Sequence, residues 1–135
     1  MILASNSPRR KEILENFGFS LKTVSKNIDE ISSKEEIKEK IMDIAQQKTM
    51  AAAKDYPDEN VVGADTVVVI DGKILGKPKD ETEAFEMLKS LSGKSHEVIT
   101  AYSFVNLKKN IFLNDAEVTK VFFKNLSDEE INWYI

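Results

Sequence analysis

The feature that most constrains the fold is a ten-residue run, Val61–Ile70, which reads Val-Val-Gly-Ala-Asp-Thr-Val-Val-Val-Ile. The run is rich in β-branched residues and only half as long as a membrane span. An apolar run of this length and composition is typical of a strand that is buried on both faces of a sheet. Asp71-Gly72 follows it directly and predicts a two-residue hairpin turn into a short strand at Ile74-Leu75.

Segments with strand and helix patterns alternate along the rest of the chain. Ser7 before Pro8 predicts a helix start that Gly18 ends, and the spacings Asp80/Glu83 and Ser127/Glu130 predict two further capped helices. This alternation predicts the α/β class. The predicted strands cover residues 2–4, 21–24, 61–70, 74–75, 96–105 and 111–123, and the longest predicted helix covers 34–54.

The length and the net charge of the chain limit the classes of protein to which it can belong. The chain has 135 residues, 41% of them hydrophobic and 31% charged, which predicts a single domain over 1–135. A net charge of -4 argues against a broad electrostatic footprint for nucleic acid. Because the sequence shows neither a membrane span nor a signal peptide, we expect a cytoplasmic protein with no membrane partner.

The absence of cysteine and the presence of one histidine limit the chemistry. Thiol catalysis, disulfides and Cys/His zinc sites are excluded, and His96 is the sole imidazole. A lone histidine at the start of a strand is more often structural than catalytic. Carboxylates, lysines, arginines or hydroxyl groups must therefore carry any reaction.

Two cations, Arg9 and Arg10, occupy the first turn of the helix that begins after Ser7. The helix dipole disfavours cations there. Their position is explained if an anion such as phosphate binds beside the free backbone N–H groups. The alternative is a solvated basic turn that pairs with Glu12 or Glu15.

Asp65 is the one charged residue in the apolar run. A buried carboxylate needs a cation, a metal or a raised pKa, which makes Asp65 a candidate general base or metal ligand. The alternative is a structural carboxylate that accepts backbone hydrogen bonds at a bulge beside Gly63.

Further charged residues could join the same site. Lys48 lies within the apolar stripe of the 34–54 helix, where it either meets an anion or extends to the rim of the core. Lys77 could add a second cation or be an ordinary loop residue. Asp29-Glu30 could hold a divalent cation together with Asp65 or form an ordinary polar loop.

At these residues the sequence resembles the Maf family, also called septum formation inhibitor proteins, which are nucleoside triphosphate pyrophosphatases. The likeness begins at Leu3-Ala4-Ser5-Asn6-Ser7-Pro8-Arg9-Arg10 and includes Gly63-Ala64-Asp65-Thr66 and Gly76-Lys77-Pro78. It continues through residues 91–100, 117–119 and 126–131, so it spans the whole chain in order.

The resemblance implies an ITPase-like fold, which is a mixed twisted sheet flanked by helices, with a central cleft. It also implies hydrolysis of a nucleoside triphosphate between the α- and β-phosphates with Mg²⁺ or Mn²⁺. Asp65 matches the family's proton acceptor, and Arg9 with Thr66 matches the branch that prefers dTTP and UTP. The predicted catalytic residue is thus Asp65, and the predicted metal ligands are Glu30 and Asp65. The predicted substrate-binding residues are Ser7, Arg9, Arg10, Lys48, Thr66 and Lys77.

Two further expectations follow from the resemblance. Family members continue for several tens of residues past the position of Ile135, so we expect this chain to be short at its C-terminus. The alternative to an enzyme is a catalytically weak nucleotide-binding regulator of cell division with the same fold. Whether the chain is a monomer or a homodimer is left open.

Overall fold

The structure is a computed structural model that describes residues 1–26, 28 and 30–135. These residues form a mixed sheet of six strands with four helices, which confirms the α/β prediction. In chain order the elements are β1 (Ile2–Leu3), α1 (Pro8–Asn16), β2 (Lys22–Thr23), α2 (Ile37–Ala53), β3 (Val61–Ile70), β4 (Lys73–Leu75), α3 (Glu81–Leu91), β5 (Ser95–Asn106), β6 (Ile111–Phe122) and α4 (Asp128–Tyr134).

The strand order is β2-β1-β3-β5-β6, and β4 also pairs with β3. Ile2 of β1 lies opposite Lys22 of β2 and Val61 of β3, and both of these pairings are parallel. From β1 the chain passes through α1 to β2 on one side, and α2 then returns it to β3 on the other side. Because ligands of open α/β sheets bind where the strand order reverses, the carboxyl end of β1 is the expected place for a site.

β3 matches its predicted bounds, but it is not buried on both faces throughout. Val61, Val69 and Ile70 are buried, whereas Asp65 is only partly buried and Thr66 is exposed. The prediction of uniform burial was wrong because β1 pairs with β3 only at Val61 and Val62. The following residues of β3 therefore lie beyond the end of β1.

The described residues divide into two compact units, Met1–Thr66 with Thr100–Glu117, and Val67–Ile99 with Val118–Ile135. In the first unit, α2 begins at Ile37 rather than at Lys34 and buries one face over the sheet. Gly63 permits this close approach, since a Cβ there would overlap the Thr49 hydroxyl. The core cluster of this unit contains Ile2, Ala4, Ala52, Ala53, Val61 and Val105.

In the second unit, β4 is antiparallel to β3, as the Asp71-Gly72 turn predicts. Both turn residues have positive φ, 51° for Asp71 and 75° for Gly72, as a type I′ turn requires. The Asp80 side chain caps α3, and a full capping box between Ser127 and Glu130 begins α4. The two helices pack against each other.

None of the helices in the part of the chain that the structure describes is long and apolar enough to cross a membrane.

Candidate active site

A polar cavity of about 250 Å³ lies in the first unit, where β1 ends. The backbone turns away from the sheet there to begin α1, and the Ser7 side chain caps this helix by accepting from the Arg10 N–H at 3.3 Å. The predicted site residues Arg10, Glu30 and Lys48 all line the cavity. Its other lining residues are Ala4, Ser5, Asn6, Ser25, Lys26, Ile28 and Ala64.

Lys48 joins two carboxylates that are remote from it in sequence. Its Nζ lies 2.6 Å from Oε1 of Glu30 and 3.4 Å from Oδ1 of Asp65. The Lys48 side chain is 25% exposed, so it is neither fully buried nor free in solvent. Of the two alternatives for this lysine, the structure thus supports the one in which it meets anions. It brings together three of the predicted site residues, which we call the Lys48 triad.

The charge state of Lys48 follows from this arrangement. Partial burial by itself lowers the pKa of its ammonium group, but the hydrogen bond with Glu30 and the negative charge of Asp65 outweigh burial and raise the pKa above 10.5. Lys48 is therefore a permanent cation at neutral pH.

Asp65 lies in the middle of β3 with 19% of its side chain exposed. The hydrogen bond that the structure gives its carboxylate comes from Lys48 Nζ rather than from a backbone N–H, and β3 is continuous through this position. The alternative of a structural carboxylate at a bulge is not supported. A carboxylate held beside a cation at the edge of a polar cavity can accept a proton from water.

Arg10 binds protein acceptors around the end of β1. Its Nη1 donates to Ser5 Oγ at 3.3 Å and to the Ala64 carbonyl at 3.2 Å, and its Nη2 donates to Thr66 Oγ1 at 3.0 Å. Among the described carboxylates, none forms an ion pair with Arg10, so the alternative of pairing with Glu12 or Glu15 is not supported. The guanidinium has five N–H donors, of which three are used here and two are left for a ligand.

The other predicted substrate-binding residues occupy different positions. Arg9 is exposed on α1 and forms no ion pair with a described carboxylate. Thr66 is exposed and binds Arg10, whereas Ser7 is held as the helix cap. Lys77 lies in an exposed loop of the second unit, after β4.

The fit of a divalent cation can be judged from the donor set. The described part of the chain contains no group of three or more acidic or histidine side chains placed to hold a metal ion, and Asp29 lies outside it. Glu30 and Asp65 nevertheless each place a carboxylate oxygen within 3.4 Å of one cationic group, the Lys48 ammonium. Two carboxylates suit Mg²⁺, which is usually held by one or two carboxylates together with substrate phosphates and water. The residues present therefore fit such an ion.

Four polar residues that line the cavity were not among the predicted site residues, namely Ser5, Asn6, Ser25 and Lys26. Ser25 and Lys26 follow β2, and Lys26 pairs with Asp55. Their place could have been found from the sequence if β2 had been assigned parallel to β1. Parallel strands bring their carboxyl ends to one edge of the sheet.

Residues 1–135 match the family described as Maf-like protein. The chain belongs to this family. A relative from Fusobacterium nucleatum, named dTTP/UTP pyrophosphatase, is 56% identical over 135 residues, which cover all of this Maf-like chain and 70% of the relative. A relative of the same name from Pyrococcus abyssi is 47% identical, with coverage of 100% and 71%.

Two solved structures share the fold of the Maf-like chain. The Ham1 protein of Staphylococcus aureus aligns with a TM-score of 0.65 at 13% identity, covering 90% of this chain and 70% of its own. The nucleoside-triphosphatase, or dITP/XTP pyrophosphatase, of Mycobacterium abscessus aligns with a TM-score of 0.54 at 17% identity, covering 90% and 71%. At these identities the likeness shows the fold alone, and it confirms the predicted ITPase-like architecture.

Proposed function

We propose that this Maf-like chain is a nucleoside triphosphate pyrophosphatase that hydrolyses dTTP and UTP to the monophosphate and pyrophosphate. The names of its relatives support the substrate class. The observation that carries the proposal is the Lys48 triad, because it holds a carboxylate and a permanent cation beside a polar cavity at the carboxyl end of β1.

Asp65 acts as the general base in this proposal. Its carboxylate takes a proton from water, and the oxygen of that water attacks a phosphorus atom of the α–β anhydride. The P–O bond between that phosphorus and the bridging oxygen breaks, so the products are the nucleoside monophosphate and pyrophosphate. Positioned proton transfer of this kind contributes about 10² to 10⁴ in rate.

Lys48 and Arg10 hold the triphosphate. The Lys48 ammonium has three N–H donors and uses two of them on Glu30 and Asp65, so a third is free for a phosphate oxygen. Arg10 has two N–H donors left beyond its protein partners. Arg9, which is exposed, binds phosphate or base groups in this proposal, and for Lys77 the same role rests on the family resemblance alone.

Glu30 and Asp65 would hold Mg²⁺ or Mn²⁺, which when bound neutralises phosphate charge and makes coordinated water more acidic. Glu30 also keeps the Lys48 ammonium in place through its short contact of 2.6 Å. The charges of Glu30, Asp65 and Lys48 thus act on one another directly.

The cellular setting belongs to the same proposal. The chain acts in the cytoplasm on a small nucleotide, without nucleic acid or membrane partners, and a link to septum formation follows from the family's alternative name. Gel filtration with light scattering distinguishes a monomer from a homodimer.

The experiment that tests the function is a pyrophosphate-release assay with UTP, dTTP, CTP and GTP, each with Mg²⁺, with Mn²⁺ and with a chelator. We expect the highest kcat/KM with UTP and dTTP and loss of activity with the chelator. Turnover without preference among the bases would contradict the assigned substrates. Nucleotide binding without release of pyrophosphate would contradict the enzyme and favour the regulator.

A further inference from the structure

The Thr66 hydroxyl has a second neighbour that the proposed reaction does not use. Thr100, on β5, places its Oγ1 3.1 Å from Oγ1 of Thr66. Thr66 is exposed and Thr100 is partly exposed, so both hydroxyl groups can meet a ligand. The pair lies beside Arg10, which lines the polar cavity.

The direction of the hydrogen bonds in this group follows from the chemistry of its members. Arginine can only donate, so Arg10 Nη2 uses one lone pair of the Thr66 oxygen. The positive guanidinium polarises the Thr66 hydroxyl and makes it a better donor. A chain in which Arg10 donates to Thr66 and Thr66 donates to Thr100 is therefore favoured, since hydrogen bonds that run in one direction strengthen one another.

This direction leaves one acceptor and one donor on the two hydroxyl groups for a ligand to use. Thr66 keeps one lone pair and acts as an acceptor, whereas Thr100 keeps its proton and acts as a donor. Uracil and thymine present the matching edge, an N3–H donor next to a carbonyl oxygen. Cytosine presents the reverse, an acceptor at N3 next to an amino donor.

The position of the pair on the strand suits a base rather than the phosphates. Successive residues of a strand point to opposite faces, so Asp65 and Thr66 can serve different parts of one ligand at the strand edge. The Ala64 carbonyl accepts a hydrogen bond from Arg10 Nη1, which holds the guanidinium against β3.

We infer that Thr100 is a specificity-determining residue that reads the N–H and carbonyl edge of uracil and thymine together with Thr66. The inference rests on the proposed function, because it names the base that the same site accepts. It assigns to Thr100 a direct contact with substrate through its hydroxyl proton.

Replacement of the hydroxyl by a methyl group tests this contact. Thr100→Val keeps the shape and the β-branched character of the side chain, Thr100→Ser keeps the hydroxyl, and Thr119→Val makes the same change at an exposed position of β6. We expect Thr100→Val to lower kcat/KM for UTP about 10-fold while changing that for CTP little. Thr100→Ser should retain the wild-type ratio of UTP to CTP, and Thr119→Val should match wild type.

Binding of UMP and CMP, measured by calorimetry, separates this inference from the proposed function. Weaker UMP binding by Thr100→Val with unchanged CMP binding supports the inference. If wild type also releases no pyrophosphate, the proposed hydrolysis is contradicted but the inference about Thr100 is not. Equal losses for UMP and CMP would assign Thr100 a structural role and overturn the inference. Wild-type affinity for both nucleotides would also overturn it.

Discussion

The Lys48 ammonium binds two carboxylates in the folded chain. In the proposed reaction the same ammonium also binds a phosphate oxygen. Charged groups that are only partly buried keep some hydration, so binding a phosphate oxygen with the third N–H of the ammonium costs less there than in a dry core. At the scale of single residues, the site therefore depends on partial exposure.

The first prediction concerns Asp65→Asn. The amide keeps the shape of the carboxylate but cannot accept the proton of water, so pyrophosphate release should fall about 100-fold or more. Lys48 keeps its contact with Glu30, so the free energy of unfolding should change by less than about 1 kcal/mol. Paired activity assays and denaturant unfolding measure both effects, with the exposed Asp58→Asn as control. A variant that loses its fold and its activity together would make Asp65 a structural residue.

The second prediction concerns Lys48→Met at different pH values. The pKa of Lys48 is raised in the folded state, so its ion pairs stabilise the fold fully below pH 10.5 and lose this effect as the pH rises through the folded-state pKa. At pH 8 the variant should be less stable than wild type by about 0.5–1 kcal/mol, with the difference shrinking above pH 10.5. Urea unfolding over this pH range measures it, and Lys38→Met on the exposed side of α2 is the control. A difference that does not depend on pH would mean that packing, not charge, is lost.

Asp65 and Lys48 could be predicted from the sequence because each places a charge in an apolar pattern, and such a charge needs a partner. The partner itself could not be predicted, since it depends on which strands are neighbours. The pattern also indicated Arg10 as an anion ligand, yet the structure shows it bound to the Ala64 carbonyl and to Thr66. That contact depends on where β1 ends along β3.

At the scale of elements, short-range signals predicted most boundaries. Asp71-Gly72, the Asp80 cap and the Ser127 capping box each act through atoms a few residues apart, and the structure confirms all three. The start of α2 was predicted three residues too early. Ser32 accepts from the Lys34 N–H and donates to Asp43, which keeps this segment outside the helix.

The third prediction belongs to the β3–β4 hairpin. Gly72 has φ of 75°, so Gly72→Ala should lower the free energy of unfolding by about 1–2 kcal/mol. Gly76→Ala is the matched control, because a Cβ there meets nothing within 4 Å and no positive φ is required. It should leave stability unchanged or raise it slightly. If thermal or denaturant unfolding showed the same loss of stability for Gly72→Ala and Gly76→Ala, the turn conformation would not limit stability.

At the scale of the whole molecule, large apolar side chains lie on the surface. Trp133 is 87% exposed, Tyr134 is 75% exposed and Phe122 is 73% exposed. A net charge of -4 supplies only modest repulsion between copies. The amphipathic patterns of the sequence could indicate which residues are apolar but not which of them remain uncovered, since that depends on tertiary packing.

The fourth prediction is that the chain self-associates with rising concentration through this exposed apolar surface. Trp133→Lys should lower the average mass in light scattering, whereas Asn132→Lys adds the same charge one residue away and keeps the tryptophan. A constant monomer mass for wild type over the full concentration range would contradict the prediction. An equal effect of the two variants would indicate charge rather than apolar contact.

The position of β1 between β2 and β3 also sets an order of events during synthesis. Ile2 and Leu3 are translated about sixty residues before their partners Val61 and Val62. At 5–20 residues per second, the ribosome needs roughly 3 to 12 s to cover that interval. The Ser5–Arg10 segment is therefore synthesised well before Ala64 and Thr66, whose carbonyl and hydroxyl groups accept hydrogen bonds from Arg10. A slow step or a stall before residue 65 would leave a nascent chain in which Arg9 and Arg10 are present but the proposed general base, Asp65, is not yet made.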